Sequence, residues 1–200
     1  AIRGVTKRIF SDSDSAEHTN ADTLTSFDSD GFTVSTQTGV NDSSGTYVAW
    51  NWKANGVGSA NTDGSINTTY TSVNTTAGFS ICKWTGTGSA GTIGHGLNAI
   101  PKMIFCKRLD AIDTWWTYNE TLGNGAYIAL NSNAASNTSG ASGLWNSTSP
   151  TSSVFSVGTN TGVNGSGGTY IAYCFAEKKG YSKIGSYIGN GNADGTFVYT

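Results

Sequence analysis

The chain has 200 residues, 11 of them basic and 13 acidic, so its formal net charge at pH 7 is -2. Only 12% of the residues are charged, and no apolar run reaches the roughly 20 residues that a membrane-spanning helix needs. These values argue against a nucleic-acid surface and against membrane insertion. Thr, Ser, Asn and Gly make up nearly half of the chain and disfavour helices, whereas 12% aromatic residues can build a core, so we predict an ordered all-β protein.

A repeat organises the chain. Residues 32–52 (FTVSTQTGVNDSSGTYVAWNW) and residues 155–175 (FSVGTNTGVNGSGGTYIAYCF) are identical at 12 of 21 positions, with a constant offset of 123 and no gap. A weaker similarity relates 78–93 to 180–197 when one residue is inserted after Ser182 and another after Ala193. The ends of units and the starts of units therefore alternate along the chain.

This order predicts the domain organisation. We expect an N-terminal segment with the C-terminal half of a first β-unit at 1–53, a polar loop or linker at 54–77, a complete unit at 78–176, and the start of a further unit at 177–200. The alternation of the last residues, FVYT, is typical of the middle of a strand. We therefore expect a piece of a longer polypeptide, or a processed one.

The complete unit shows short apolar runs separated by turn residues, which is the spacing of two packed antiparallel sheets. The predicted strands are Phe79–Trp84, Thr92–Leu97, Lys102–Arg108, Thr114–Asn119, Tyr127–Leu130, Val154–Val157 and Thr169–Ala176. The predicted fold is an antiparallel β-sandwich, jelly-roll or lectin-like, with one complete unit and two partial units in tandem.

The predicted core follows from the period of two in a strand. It comprises the large side chains on one face of the last strand and of its repeat counterpart: Ile171, Tyr173, Phe175, Val48, Trp50 and Trp52.

Residues that carry chemistry are few and scattered. His18 and His95 lie in different segments and are expected to be ordinary surface or edge histidines, since no metal-ligand spacing accompanies them. Asp28–Gly31 begins like a calcium loop but lacks the bidentate Glu, which favours a β-turn. The sequence assigns no catalytic residue, no metal ligand and no cofactor, and we expect a protein that is not an enzyme.

The three cysteines, Cys82, Cys106 and Cys174, are odd in number and widely spaced. Cys174 aligns with Asn51 in the other copy, so a disulfide essential to the unit is not expected. We predict buried free thiols in strands.

The candidate binding residues are aromatic. Trp116 and Tyr118 share one face of a predicted strand, and Trp145 follows in the sequence. Such a group stacks against sugar rings, or fills a subunit interface, when it faces outward. Both interpretations stay open, together with the alternative that these side chains cover the sheet against a neighbouring unit.

Two stretches, 168–200 and GHGLNAIPKMIFCKR at 94–108, resemble the repeat of large virion proteins of marine tailed phages, including tail-fibre and other appendage proteins of phages that infect cyanobacteria. The resemblance covers about 78–200 directly and 24–53 through the repeat. It implies a lectin-like β-sandwich module strung in tandem in a virion appendage, and it implies no catalytic residues.

The leading functional hypothesis is accordingly a structural protein of a phage virion, a tail fibre or similar appendage that takes part in host attachment. The expected partners are other copies of the chain, often three in such fibres, other virion proteins and a host surface glycan. The alternatives are a capsid-decorating protein, a carbohydrate-binding adhesin, and a filament subunit in which residues 180–200 complete the half-unit at 24–53 of the next subunit by strand addition.

Overall fold

The computed structural model describes residues 2–199 and contains short strands joined by turns, with three helices of a single turn. The strands are β1 (Lys7–Arg8), β2 (His18–Thr19), β3 (Leu24–Phe27), β4 (Phe32–Val34), β5 (Thr68–Asn74), β6 (Phe79–Thr85), β7 (Gly91–Gly94), β8 (Met103–Arg108), β9 (Trp116–Asn119), β10 (Ile128–Ala129), β11 (Val154–Val157) and β12 (Thr169–Phe175). The helices are α1 (Thr38–Asn41), α2 (Ala141–Trp145) and α3 (Thr161–Asn164). The protein is all-β, as the composition predicts.

The complete unit is a sandwich of a large and a small antiparallel sheet. The large sheet has six strands in the order β10-β9-β8-β12-β6-β5, and the small one pairs β11 with β7. β12 is the central strand, hydrogen-bonded to β6 on one side and to β8 on the other. Because β12, the last strand of the unit, lies between β6 and β8, its hydrogen bonds depend on β6, the first strand of the unit.

The core lies between these two sheets. Its large-sheet side includes Trp84, Tyr118 and Tyr170, and its small-sheet side includes Ile93 and Phe155. Trp84 stacks on the ring of Tyr170 at 5.5 Å and meets the ring of Phe155 edge-on at 5.9 Å. Burial of these rings supplies the main free energy of folding for the unit.

The predicted core face of β12 is wrong. Tyr170, Ala172 and Cys174 point into the sandwich, whereas Tyr173 and Phe175 lie half-buried on the outer face, next to the buried Ile171. Residues 2–20, called here the N-terminal segment, cover this outer face together with Trp52, so both faces of β12 are covered. A strand covered on both faces carries bulky residues on both, and size alternation alone does not identify the inner one.

The region 54–77 is more than the predicted polar loop, because β5 lies within it and forms an edge of the large sheet. Thr68, Thr71 and Ser72 of this strand are buried. The hydroxyl oxygens of Thr68 and Thr71 lie 2.8 Å apart, in hydrogen-bond contact. A strand whose buried positions carry small hydroxyl side chains has the composition of a loop.

The first copy of the repeat, residues 24–52, is referred to below as the half-unit. Its strands β3 and β4 pair only with each other. Residues 46–52, the counterpart of β12, form no strand, and Val48, Trp50 and Trp52 are exposed. Their predicted place in a core is therefore wrong for this chain, because the neighbours that flank β12 have no equivalent against 46–52 among the described residues.

The local structure of the repeat is nevertheless the same in both copies. The helix α1 is capped by the Gln37 side chain, which accepts a hydrogen bond from Gly39 N, and α3 is capped in the same way by Asn160. The hydroxyl of Tyr47 donates to Thr38 O at 2.6 Å and accepts from Asp42 N at 2.7 Å.

The equivalent tyrosine of the second copy repeats this pair of bonds. Tyr170 donates to Thr161 O at 2.5 Å and accepts from Gly165 N at 2.8 Å. The repeat is thus structural as well as sequential.

Candidate interaction surfaces

Large exposed apolar side chains concentrate in two segments of the chain. One is the end of the half-unit, and the other is the stretch 180–199, called here the C-terminal segment. The exposed side chains of the two segments are Tyr47, Val48, Trp50, Trp52, Tyr181, Tyr187, Ile188, Phe197, Val198 and Tyr199. Aromatic residues at this density on a surface are typical of sites that another surface covers.

The half-unit carries an open cavity of about 240 Å³. Its wall contains Phe32, Val34, Val40, Tyr47 and Ala49. At the constant offset of 123, the corresponding residues of the complete unit all belong to its buried core: Phe155, Val157, Val163, Tyr170 and Ala172. The cavity therefore lies on the inner face of a half-sandwich, where the opposing side chains of the complete unit have no counterpart.

A larger groove, of about 1250 Å³, lies between the outer face of the large sheet, the N-terminal segment and the half-unit. Ile81, Ile171 and Tyr173 line its floor, and Ile2 and Phe10 line the opposite wall. The groove is mostly apolar and open on one side. It is the second candidate binding region.

Hydrogen bonds tie the N-terminal segment to the complete unit. The indole of Trp115 donates to Phe10 O at 2.7 Å, and the Trp115 ring stacks on Tyr173 at 6.2 Å. Arg3 and Glu17 form an ion pair at 2.9 Å beside this contact. Burial raises the pKa of Tyr173, although the charge of Arg3 acts in the opposite direction.

Lys107 is a buried cation beneath this segment. Its ammonium donates to Arg108 O at 2.7 Å and to Asp14 O at 3.3 Å. Burial lowers the pKa of Lys107, while the nearby carboxylates of Asp113 and Asp14 favour its charged form. The hydrogen bond to Asp14 O anchors the N-terminal segment on the sheet.

The three predicted binding residues come together, but inside the protein. Tyr118 is 3% and Trp145 2% exposed, and their rings meet edge-on at 6.0 Å within the core. Trp116 is half-buried, donates from its indole to the Asp113 carboxylate at 3.0 Å, and contacts the ring of Tyr127. The prediction that Trp116 and Tyr118 form an outward platform is wrong, because β9 turns that face toward the sandwich core.

The two histidines behave differently from each other. His18 is exposed on β2, as expected for a surface histidine. His95 is fully buried, which corrects its predicted surface or edge position: its Nδ1 accepts from Leu97 N, and its Nε2 lies 3.2 Å from Thr151 O. Burial lowers the pKa of His95.

The prediction of buried free thiols is confirmed for Cys82, Cys106 and Cys174. They lie on the adjacent strands β6, β8 and β12. Burial raises the pKa of Cys106 and of Cys174, so neither is a reactive thiolate at neutral pH. Among residues 2–199 no group of three or more His, Cys, Asp or Glu side chains is placed to bind a metal ion.

The repeat predicts a half-unit at 24–53, and the structure adds that this half-unit carries an open cavity. Sequence reasoning missed the groove. The groove had no signal, since residues 1–20 match no other part of the chain.

None of the helices within residues 2–199 has the length and apolar character needed to cross a membrane. No curated protein and no solved structure matches the chain. One family model, described as a domain of unknown function, DUF7483, matches residues 1–200. Because that match covers the whole sequence, the chain belongs to the DUF7483 family.

Proposed function

We propose that the protein is a non-enzymatic structural protein of a phage virion, a tail fibre or similar exposed appendage that takes part in host attachment. The observation that carries the proposal is the recurrence of one β-unit within the chain. The same helix cap and the same tyrosine hydrogen bonds occur in both copies. Serial repetition of one module suits an extended appendage, in which each unit contacts mainly its neighbours.

The sequence resemblance to virion repeats of marine tailed phages supports the same assignment. Three basic side chains of the complete unit have structural partners. His95 bonds to backbone groups, Lys107 holds the N-terminal segment, and Arg108 pairs with Asp110 at 3.1 Å.

The experiment is to locate the protein in purified particles. Antibodies against the chain, with gold labelling and electron microscopy, are expected to mark the tail or its fibres. Label over the capsid shell would favour a decorating protein instead. Particles that contain none of this chain by mass spectrometry, from a lysate that does contain it, would overturn the proposal.

A further inference from the structure

We propose that the C-terminal segment of one copy completes the half-unit of a second copy. Residues 181–187 add as a strand antiparallel to 46–52, and residues 195–198 pair with β4. Copies of the chain then associate head to tail. This inference rests on the geometry of the two units and holds whether or not the protein belongs to a virion.

The complete unit gives the register of the added strand. There β6 and β12 run antiparallel, with Trp84 opposite Tyr170 and Phe79 opposite Phe175. Transferring this register through the two repeats places Tyr187 opposite Tyr47 and, beyond a bulge at the inserted residue Lys183, Tyr181 opposite Trp52.

Both transferred pairs are aromatic, as the originals are. Trp84 stacks on Tyr170 at 5.5 Å, and the rings of Phe79 and Phe175 lie 5.0 Å apart. In the structure Tyr187 is 70% exposed and Tyr47 52% exposed, so each half of the first new pair lacks its partner. Seated in the open cavity, Tyr187 takes the place that Trp84 has in the complete unit.

The small sheet predicts a second contact. In the complete unit Ile93 of β7 lies opposite Phe155 of β11. Their counterparts are Phe197, which is 86% exposed, and Phe32, which lines the open cavity. The C-terminal segment thus has side chains for both sheets of the missing half.

An asparagine clamp joins the two halves of the complete unit. Asn164 Nδ2 donates to Gly158 O within its own half and to Ser89 O of the other half, while its Oδ1 accepts from Thr87 N. Asn41, the counterpart, makes only the first of these bonds, to Ser35 O at 2.8 Å. Its remaining donor and acceptor face solvent, where the loop of the added strand arrives.

That loop already has the required shape in the C-terminal segment. In the complete unit Ser89 N donates to the Thr87 hydroxyl, and Gly88 between them has a φ of +75°. In the C-terminal segment Asn192 N donates to the Asn190 side chain, and Gly191 has a φ of +66°. A preformed loop lowers the entropic cost of binding.

Gly189 stands at the counterpart of a position where the complete unit requires glycine. A Cβ at its counterpart Gly86 would lie 2.2 Å from Gly165 O, so the close approach of the two halves requires glycine there. A Cβ at Gly189 meets nothing within 4 Å, and the φ of Gly189 is not in the left-handed region. Association brings this position against the carbonyl of Asp42, the counterpart of Gly165, where only glycine fits.

The second copy is the favoured occupant because this chain supplies both complementary halves and leaves both exposed. We therefore expect sedimentation of the full chain over a concentration series to give multiples of the 20.8 kDa monomer. Gly189→Val should weaken association about 30-fold or more, since it blocks a closely packed centre. Gly125→Val is the matched control, an exposed glycine with open space around it in the complete unit, and it should associate like the parent.

Mixing separates head-to-tail association from other modes. Ala49→Asp places a charge in the cavity and should also give monomers. A mixture of Gly189→Val and Ala49→Asp chains retains one intact half on each, so it should form dimers and nothing larger. A parent that stays monomeric at every concentration, or variants that associate like the parent, would overturn the proposal.

A cross-link tests the register. Ala49→Cys in one chain and Gly185→Cys in another correspond to the facing pair Ala172 and Cys82, so their mixture should form an intermolecular disulfide. Ser186→Cys, one residue out of register, should not react with Ala49→Cys. When both cysteines are placed in one chain, a disulfide confined to monomers would show closure within the chain and would also overturn the proposal.

Discussion

The half-unit and the complete unit contain nearly the same 21 residues in two different environments. In the complete unit Tyr170 is fully buried between Trp84 and the loop that it holds. In the half-unit Tyr47 makes the same two hydrogen bonds in an exposed position. The turn chemistry is therefore encoded locally, whereas the strand that follows it depends on neighbours from elsewhere in the sequence.

The difference in stability between the two units should be largest when the aromatic side chain at Trp84, or at its counterpart Tyr187, is removed. Trp84→Ala deletes a fully buried ring and should lower the free energy of unfolding by about 3–5 kcal/mol. Tyr187→Ala, at the counterpart position, should change the unfolding of the monomer by no more than about 0.5 kcal/mol. Urea unfolding at a concentration that keeps the chain monomeric measures both values, and equal losses would contradict the comparison.

The asparagine clamp should give the next largest difference. Asn164→Ala removes three hydrogen bonds of a fully buried side chain, one of them buried and two part-buried, and should cost about 3 kcal/mol. Asn41→Ala removes one exposed hydrogen bond and should cost about 0.5 kcal/mol or less in the monomer. The same unfolding measurement applies, and a large loss for Asn41→Ala would mean that the half-unit is already closed.

Removal of the tyrosine hydroxyl should give the third largest difference in stability between the two units. Tyr170→Phe removes one buried and one part-buried hydrogen bond and should cost about 2 kcal/mol. Tyr47→Phe leaves partners that water reaches, so we expect a loss several times smaller. Hydrogen exchange at Gly165 N and at Asp42 N would report the two effects separately, and the comparison fails if both amides respond alike.

The smallest effect concerns pH and belongs to the complete unit alone, because the counterpart of His95 is Tyr199. Burial lowers the pKa of His95 below the ordinary histidine value of about 6.5, so the unfolded chain binds a proton there at a higher pH than the folded chain does. Stability should therefore be full well above pH 6.5 and fall as the pH decreases below it, by no more than about 1.4 kcal/mol per pH unit.

The control for this titration is the other histidine. His95→Gln should flatten the dependence of stability on pH between 7 and 5.5, whereas His18→Gln, at an exposed position, should leave it as in the parent. A parent whose stability rises on acidification over this range would refute the assignment to His95.

The strands of the complete unit were predictable because each is an apolar run between turn residues. Val154–Val157 was predicted at its observed ends, and Phe79–Trp84 was predicted to within one residue. The inner face of β12 was not predictable, since the cover on its outer face comes from the N-terminal segment and Trp52, and nothing in their sequence indicates that contact. The same cause misplaced Trp116 and Tyr118, because only the pairing of β9 with β8 fixes which face turns inward.

The buried cysteines have a practical consequence for kinetics. An alkylating reagent in solution reaches Cys82, Cys106 and Cys174 only after the sandwich opens, because all three side chains are 0% exposed. When alkylation is faster than reclosing, the rate of labelling therefore reports the rate at which the complete unit opens, with no cysteine introduced into the chain. A slower alkylation rate at higher protein concentration would measure how much association with a neighbouring copy stabilises the complete unit against opening.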